Sequence, residues 1–456
     1  MKILIILFLI ILPFSLFAKI EEYTDVNLYF KTDFDANEIN LNLTFDDQQY
    51  FLINLDASLN NDDKYIYEPW QDVTMFGYYY LLKEGYIGVN LNEKATITIG
   101  QIIPKDEIDS KYALFFNNQT EIGKYTVSFD YEGESFFYKS NWILLNKDSD
   151  LKYQDRGLNY KTYGITLGNF KIGLQDTIIY KDRFFDPYYF LNPFPSTMIQ
   201  EIRYTYSAPW VQKAEIVDDN AVIGMFTQYN NEKSSYYLQL FIDDLNLNRI
   251  FNPESYQNPD KIAWSLGTKQ VTKYGIFGFY HAGATKYTSQ RTGTDKQTEY
   301  TYYPSSEYNY PKGNSETKIL DYKENYIGYI YGENTVSFLI DYLNQSDKMD
   351  NYISLEYVIS GEKSPHVPWN GYETYEPGTH LLDDDVLEHV IELNWEMTLK
   401  LTDNLKLTPN ITINHYSNKI ELVEVERDKE AKIWQPVDDN NETNFQIGIM
   451  FEVDIL

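Results

Sequence analysis

The densest group of side chains able to do chemistry is His380, Asp383, Asp384, Asp385 and His389. Asp383, Asp384 and Asp385 offer hard oxygen ligands to a cation such as Ca²⁺, but the run lacks the glycine and the closing glutamate of an EF-hand loop. An Asp–His pair could also act as a general base, which requires a positioned water and a second acidic pair. A solvated acidic loop is the simplest reading of such a run. A second group is Asp182, Arg183, Asp186, Tyr188 and Tyr189. Its rings, with Phe190, could stack on sugar faces while the carboxylates take hydroxyls. The simpler reading is that its charges form a rim salt-bridge cluster beside an aromatic girdle. The third group is Asp243 and Asp244, in a strongly β stretch that turns one of them inward. Such a carboxylate either meets a sugar or a cation, or pairs with Arg183, Arg203 or a lysine, because a buried charge needs a partner.

No nucleophile motif accompanies these groups: there is no GxSxG, no HExxH and no phosphate-binding glycine loop. No catalytic residue, enzyme activity or cofactor is therefore assigned. The chain has no cysteine, which excludes disulfides, thiolate metal sites and a lipidated cysteine. Its formal charge of −30 repels nucleic acid.

The elements that must position these groups are strands. In the last twelve residues Phe445, Ile447, Ile449, Phe451, Val453 and Ile455 form one apolar row, and Gln446, Gly448, Met450, Glu452, Asp454 and Leu456 a mixed, largely polar one. Strand side chains alternate between faces, so this is a ribbon with one oily and one wet side. The same alternation runs through Ile39–Phe45 and Phe51–Leu59, with a turn at Asp46–Gln49 between them. It recurs in Tyr125–Tyr131, Val336–Tyr342 and Ile353–Ile359. The clearest hairpin sets Ile391, Leu393, Trp395, Met397, Leu399 and Leu401 on one face and turns at Thr402–Asn404 into Leu405–Ile413.

Lys2 followed by the apolar run Ile3–Phe17 and Ala18 reads as a secretory signal, expected to be cleaved after Ala18. No later segment is apolar for about 18 residues, which excludes a helical membrane protein but not a β-barrel. Tyr is abundant, at 43 residues, and suits both strands and the headgroup zone. Short links at Asp46 and Thr402 contrast with long ones over Thr285–Asn325 and Gly361–Glu388. Short turns at one rim and long loops at the other are the pattern of outer-membrane barrels. At about 24 residues per strand and link, residues 19–456 predict one all-β domain, an antiparallel transmembrane barrel of about 18 strands, with 16 to 20 in range.

Several segments resemble the Wzi capsule-assembly family of outer-membrane barrels. They are Ala95–Gln101, a strand ending in a Gly-polar corner; Lys171–Tyr180; Asp186–Pro193, with its Asp-Pro and aromatic run; Tyr237–Asp244; Ala263–Gly267; and the late loop Pro311–Glu316. Their order and spacing across residues 95 to 345 carry the resemblance. This chain departs from the family in two ways. Alternation starts almost directly after the signal, where the family's capsule protein has a periplasmic helical bundle, and Gln175 replaces a family glutamate. The resemblance implies an 18-stranded barrel, plugged or narrowed inside, that helps hold surface polysaccharide. The expected partners are outer-membrane lipid and surface polysaccharide. A diffusion porin for small hydrophilic or cationic solutes is the alternative, and a barrel lipase or protease a third.

Overall fold

The computed structural model describes residues 24–33, 36–47, 49–62, 76–147, 155–205, 219–244, 259–288, 327–363, 378–425 and 428–455. The signal segment 1–18 and the loop motif 311–316 lie outside them. Twenty strands are present among the described residues. They are β1 (Thr24–Asp33), β2 (Asn37–Asp46), β3 (Phe51–Asn60), β4 (Tyr79–Asn92), β5 (Ala95–Ile102), β6 (Lys124–Glu132), β7 (Phe136–Asn146), β8 (Arg156–Leu167), β9 (Phe170–Lys181) and β10 (Asn220–Asn230). The rest are β11 (Ser234–Asp244), β12 (Lys261–Thr272), β13 (Gly275–Ala284), β14 (Thr335–Gln345), β15 (Met349–Ser360), β16 (Glu388–Thr402), β17 (Leu405–Ser417), β18 (Ile420–Val425), β19 (Asp428–Pro436) and β20 (Glu442–Asp454). Two short helices, α1 (Pro187–Leu191) and α2 (Ser196–Thr205), follow β9. Among the described residues no helix is long and apolar enough to cross a membrane.

Eighteen of the strands form one antiparallel sheet in which β1 to β17 pair in order and β20 pairs with both β17 and β1. The sheet is thus a closed cylinder, and closure leaves no unpaired edge. The remaining two strands, β18 and β19, make a separate ribbon tied back through Lys363 and Trp434. The 18-stranded antiparallel barrel agrees with the strand number read from the sequence.

All links at one end are tight, from 47–50 and 93–94 through 346–348 and 403–404. The other end carries the long connections 103–123, 182–219, 285–334, 361–387 and 418–441, with a single short link at 34–36. Both barrel termini, at Thr24 and Asp454, lie at the tight-turn end, because Asn27 stands opposite Asp454.

The alternating rows face as their polarity demands. Ile53, Leu55, Ile97, Ile99, Ile340, Leu355, Leu393, Phe445 and Phe451 are exposed large apolar residues on the outer wall. Their polar neighbours join across the inner wall: Asn40 donates to Asp56 at 2.6 Å, Thr44 to Asn54 at 3.0 Å, Thr412 to Asn394 at 3.1 Å, and Lys406 meets Glu452 at 2.7 Å. On these strands apolar side chains meet lipid outside while polar ones hydrogen-bond inside.

Candidate functional site

The β5–β6 link, residues 103–123, folds into the cylinder. Gly100 opens the way: its φ is +151°, and a Cβ there would lie 2.3 Å from the Gly85 carbonyl oxygen. Ile108, Tyr112, Ala113, Phe115 and Phe116 of this link are fully buried. Tyr112, Phe115 and Phe116 pack with inward residues of β7 to β16, among them Leu158, Tyr160, Phe241, Ala282 and Val358, and Ile108 packs with Phe137 and Phe226. A second inward stretch, Ile327–Tyr331, joins the same cluster, and Gly328 donates its N–H to the Phe115 carbonyl at 3.1 Å. Gly224 on β10 leaves room for it; a Cβ there would lie 2.6 Å from the Phe115 ring and 2.2 Å from the Leu240 carbonyl.

Polar contacts fasten the link at both sides of the lumen. Glu107 meets Lys139 of β7 at 2.8 Å and Lys171 of β9 at 2.9 Å. Lys111 pairs with the buried Glu356 of β15 and lies 3.6 Å from Glu392 of β16; Tyr112 donates its hydroxyl to Glu356 at 2.6 Å. From β7 to β16 is nine inter-strand steps around a wall of eighteen. The link therefore spans the barrel from one side to the opposite one. Between these ends Asp106 accepts from the Phe115 N–H at 2.8 Å, from Gln175 at 2.9 Å and from Gln239 at 2.8 Å. Gln175 is the position where the family resemblance has a carboxylate. An amide can donate to Asp106 there, whereas a carboxylate is only an acceptor.

Burial pushes the Glu107 carboxyl up, but Lys139 and Lys171 outweigh that and hold it below the usual glutamate value. Burial pulls the Lys111 ammonium down, and Glu356 and Glu392 more than restore it, so it stays charged. On the side of the lumen away from the buried cluster, the wall keeps its polar row. It includes Asn40, Asn54 and Asp56, and Glu84, whose carboxylate accepts from the Ile103 N–H at 2.7 Å. A cavity of about 320 Å³ at the long-loop mouth is lined there by Glu38, Asp62, Lys83 and Glu121 among others.

The groups singled out in the sequence fall at separate places. Asp243 faces the lumen rim and pairs with Lys261 at 3.2 Å, with both side chains buried; the lysine is Lys261, on the neighbouring strand. The side chain of Asp244 lies outside the described residues, as does that of Arg203. Asp383 pairs with His380 at 2.5 Å, whereas Asp384 accepts from Lys286 at 2.6 Å, from Asn334 at 2.5 Å and from the Glu362 N–H at 3.0 Å. Asp385 is exposed, and His389 stacks on Tyr357 instead of turning to the aspartates. Among the described residues no three His, Asp or Glu side chains converge to hold a metal ion.

Arg183 bridges Asp186 at 2.8 Å and Asp219 at 2.7 Å and lies over the Tyr180 ring. Burial pulls the Arg183 guanidinium down, and the two aspartates raise it above its ordinary value. Asp186 also caps α1 by accepting the Tyr188 N–H at 3.0 Å. Tyr189 is fully buried, with its hydroxyl on Asp219 at 2.7 Å and its ring on Tyr180, so it presents no face to a sugar. Asp182 and Tyr188 are exposed.

This group and the two helices lie on the outer wall. Gln175, Thr177 and Ile179 point into the lumen, so Asp176, Ile178 and Tyr180 point outward, in line with the exposed Ile172 and Leu174. Ile178 and Tyr180 pack against Tyr189 and Ile199. The inward link and this outer strap were both missed by sequence reasoning. Only the Phe115-Phe116 pair inside a non-alternating stretch could have flagged the first, and the Asp186-Pro187 helix start the second.

An all-antiparallel closed cylinder, apolar without and polar within, with tight turns at one rim and long loops at the other, defines an outer-membrane β-barrel. No protein-family model and no curated protein matches the sequence. Among solved structures the chain is similar to Wzi of Escherichia coli, described as an outer-membrane protein involved in group 1 capsule assembly and a carbohydrate-binding β-barrel. The identity is 9%, over 96% of this chain and 86% of that one, with a TM-score of 0.56. At that identity the likeness establishes the shared barrel fold. Pseudomonas aeruginosa OprD is also similar, at 9% identity over 95% of each chain and a TM-score of 0.43, as is OccD3 of the same organism, at 9% identity over 95% of this chain and 91% of that one and a TM-score of 0.44.

Proposed function

We propose that this chain is an outer-membrane surface barrel associated with surface polysaccharide and that its lumen does not serve free diffusion. The observation that carries the reading is the bridge across the lumen by residues 103–123, clamped at Glu107 and Lys111 to opposite walls. A general porin has no use for a buried apolar cluster in its bore. The similarity to a carbohydrate-binding capsule-assembly barrel supports the same reading. The protein reaches the outer membrane of a Gram-negative-type cell through a cleaved signal at residues 1–18. The polysaccharide meets the long-loop rim, where Asp182, Asp383 and Asp385 are exposed to take sugar hydroxyls. No catalytic pair and no metal are part of the reading.

One observation favours a second reading. The wall opposite the buried cluster keeps a continuous polar row with Asp56 and Glu84, and a narrow path along it would pass small cations. Retention of the detergent-solubilised full chain on an immobilised capsular polysaccharide column, with washout by the free polysaccharide, is the expected result. Passage through the column unretained, together with small cation-selective current steps, would replace the first reading by the second.

A further inference from the structure

The outer row of β7, β8 and β9 changes character part-way along the strands. Near the tight turn 168–169 it is apolar and exposed: Leu167 faces Phe170, and Ile165 faces Ile172. Two residue pairs further on, the same row carries Lys161 opposite Asp176, and both are buried. Ionisable side chains on a lipid-facing row are costly, a lysine near the bilayer midplane above all.

The cover is the strap 184–202. Four outward side chains bond to its main chain. Trp142 donates to the Phe184 carbonyl at 2.7 Å, Ser140 to Phe190 at 3.1 Å and Lys161 to Phe194 at 2.7 Å; Asp176 accepts the Ser196 N–H at 2.8 Å, at the start of α2. These four bonds tie the outer wall to the strap's backbone along much of its length. On its other side the strap exposes Leu191, Phe194, Met198 and Ile202, at 74%, 57%, 51% and 48%. These residues continue the apolar belt of Ile165, Leu167, Ile172 and Leu174 upward over the charged pair.

We propose that the strap is a lipid-facing element of the barrel. Its occupant is the acyl region of the surrounding bilayer leaflet, met by Leu191, Phe194, Met198 and Ile202, while the backbone beneath bonds the Lys161 ammonium and one oxygen of the Asp176 carboxylate. The outer wall thereby tolerates two ionisable side chains at belt height. The inference needs only the membrane barrel and is independent of what the lumen or the rim does.

The absence of cysteine makes the test direct. Leu191→Cys and Met198→Cys, each spin-labelled in the full chain in phosphatidylcholine–phosphatidylglycerol vesicles, are compared with Leu174→Cys on the belt and Asp403→Cys in a tight turn. Both strap positions are exposed, so the fold does not depend on them. The expected ratio of oxygen to nickel-chelate accessibility matches Leu174→Cys and exceeds that of Asp403→Cys several-fold. A ratio like that of Asp403→Cys would place the strap in water and overturn the proposal. Protection from both reagents would mean that protein covers it, and would overturn it equally.

Discussion

Replacing Lys111 by Met removes the cation that neutralises Glu356. The Glu356 side chain is 1% exposed and would keep only the Tyr112 hydroxyl among its contacts from the link. Taking one partner from a buried ion pair costs about 3–5 kcal/mol; because Lys111 itself is a quarter exposed, about 3 kcal/mol is the better figure. At about 1.4 kcal/mol per decade this raises the ratio of displaced to seated link by about a hundredfold. The readout is a thiol placed at Ala113, which is fully buried beneath the link's own packing. In Ala113→Cys a water-soluble maleimide reacts only when the link leaves its seat, so the rate follows the displaced population. Adding Lys111→Met should speed labelling by about a hundredfold. A rate within about threefold of the parent, equivalent to under about 0.7 kcal/mol, would refute the claim that this pair holds the bridge.

Four further outcomes follow from the same geometry. Gln175→Glu sets a carboxylate against Asp106 and deletes a donor to a charged group; labelling at Ala113→Cys should accelerate as for a loss of about 1.5–3 kcal/mol. Gly224→Ala forces a Cβ towards Phe115 and the Leu240 carbonyl, and overpacking of about 1–3 kcal/mol should show in the same assay, whereas the exposed turn Gly168→Ala leaves it unchanged. Glu107 titrates below the usual glutamate value of about 4.3, so its clamp is fully present above that pH and is lost only as pH falls through the lowered value. Protection of residues 103–123 against hydrogen exchange, taken relative to the intrinsic rate at each pH, should therefore hold from neutral pH down through the usual glutamate range and fall below it, and Glu107→Gln should abolish that step. Arg183→Lys keeps the charge but cannot fork between Asp186 and Asp219, so limited proteolysis at residues 182–219 should increase, and Arg183→Ala should increase it further.

Much of the wall was legible because a barrel strand must alternate. Ile391–Leu401, the turn at Thr402–Asn404 and Leu405–Ile413 reappear as β16, the link 403–404 and β17; Ile39–Phe45 and Phe51–Leu59 reappear as β2 and β3. The pairing of Asp243 with a lysine was legible too, since a buried carboxylate requires one, although its identity as Lys261 depended on register. The inward link was not legible. Ile108, Leu114, Phe115 and Phe116 follow no period, because they pack against curved walls on several sides instead of one flat face. The outer strap was hidden for a related reason. Lys161 and Asp176 sit where the lipid row predicts apolar residues, and only the covering main chain makes them tolerable. In the Asp182–Tyr189 group the charges of Arg183 and Asp186 form the cluster that their sequence predicts, but Tyr189 is spent inside it.

The central claim is that residues 103–123 bridge and obstruct the cylinder. Planar-bilayer recording of the full chain beside a variant with residues 105–121 replaced by a short Gly-Ser turn tests it most directly. The account predicts no large steady current steps from the full chain and large ones from the shortened variant. Large stable steps of equal size from both would contradict it.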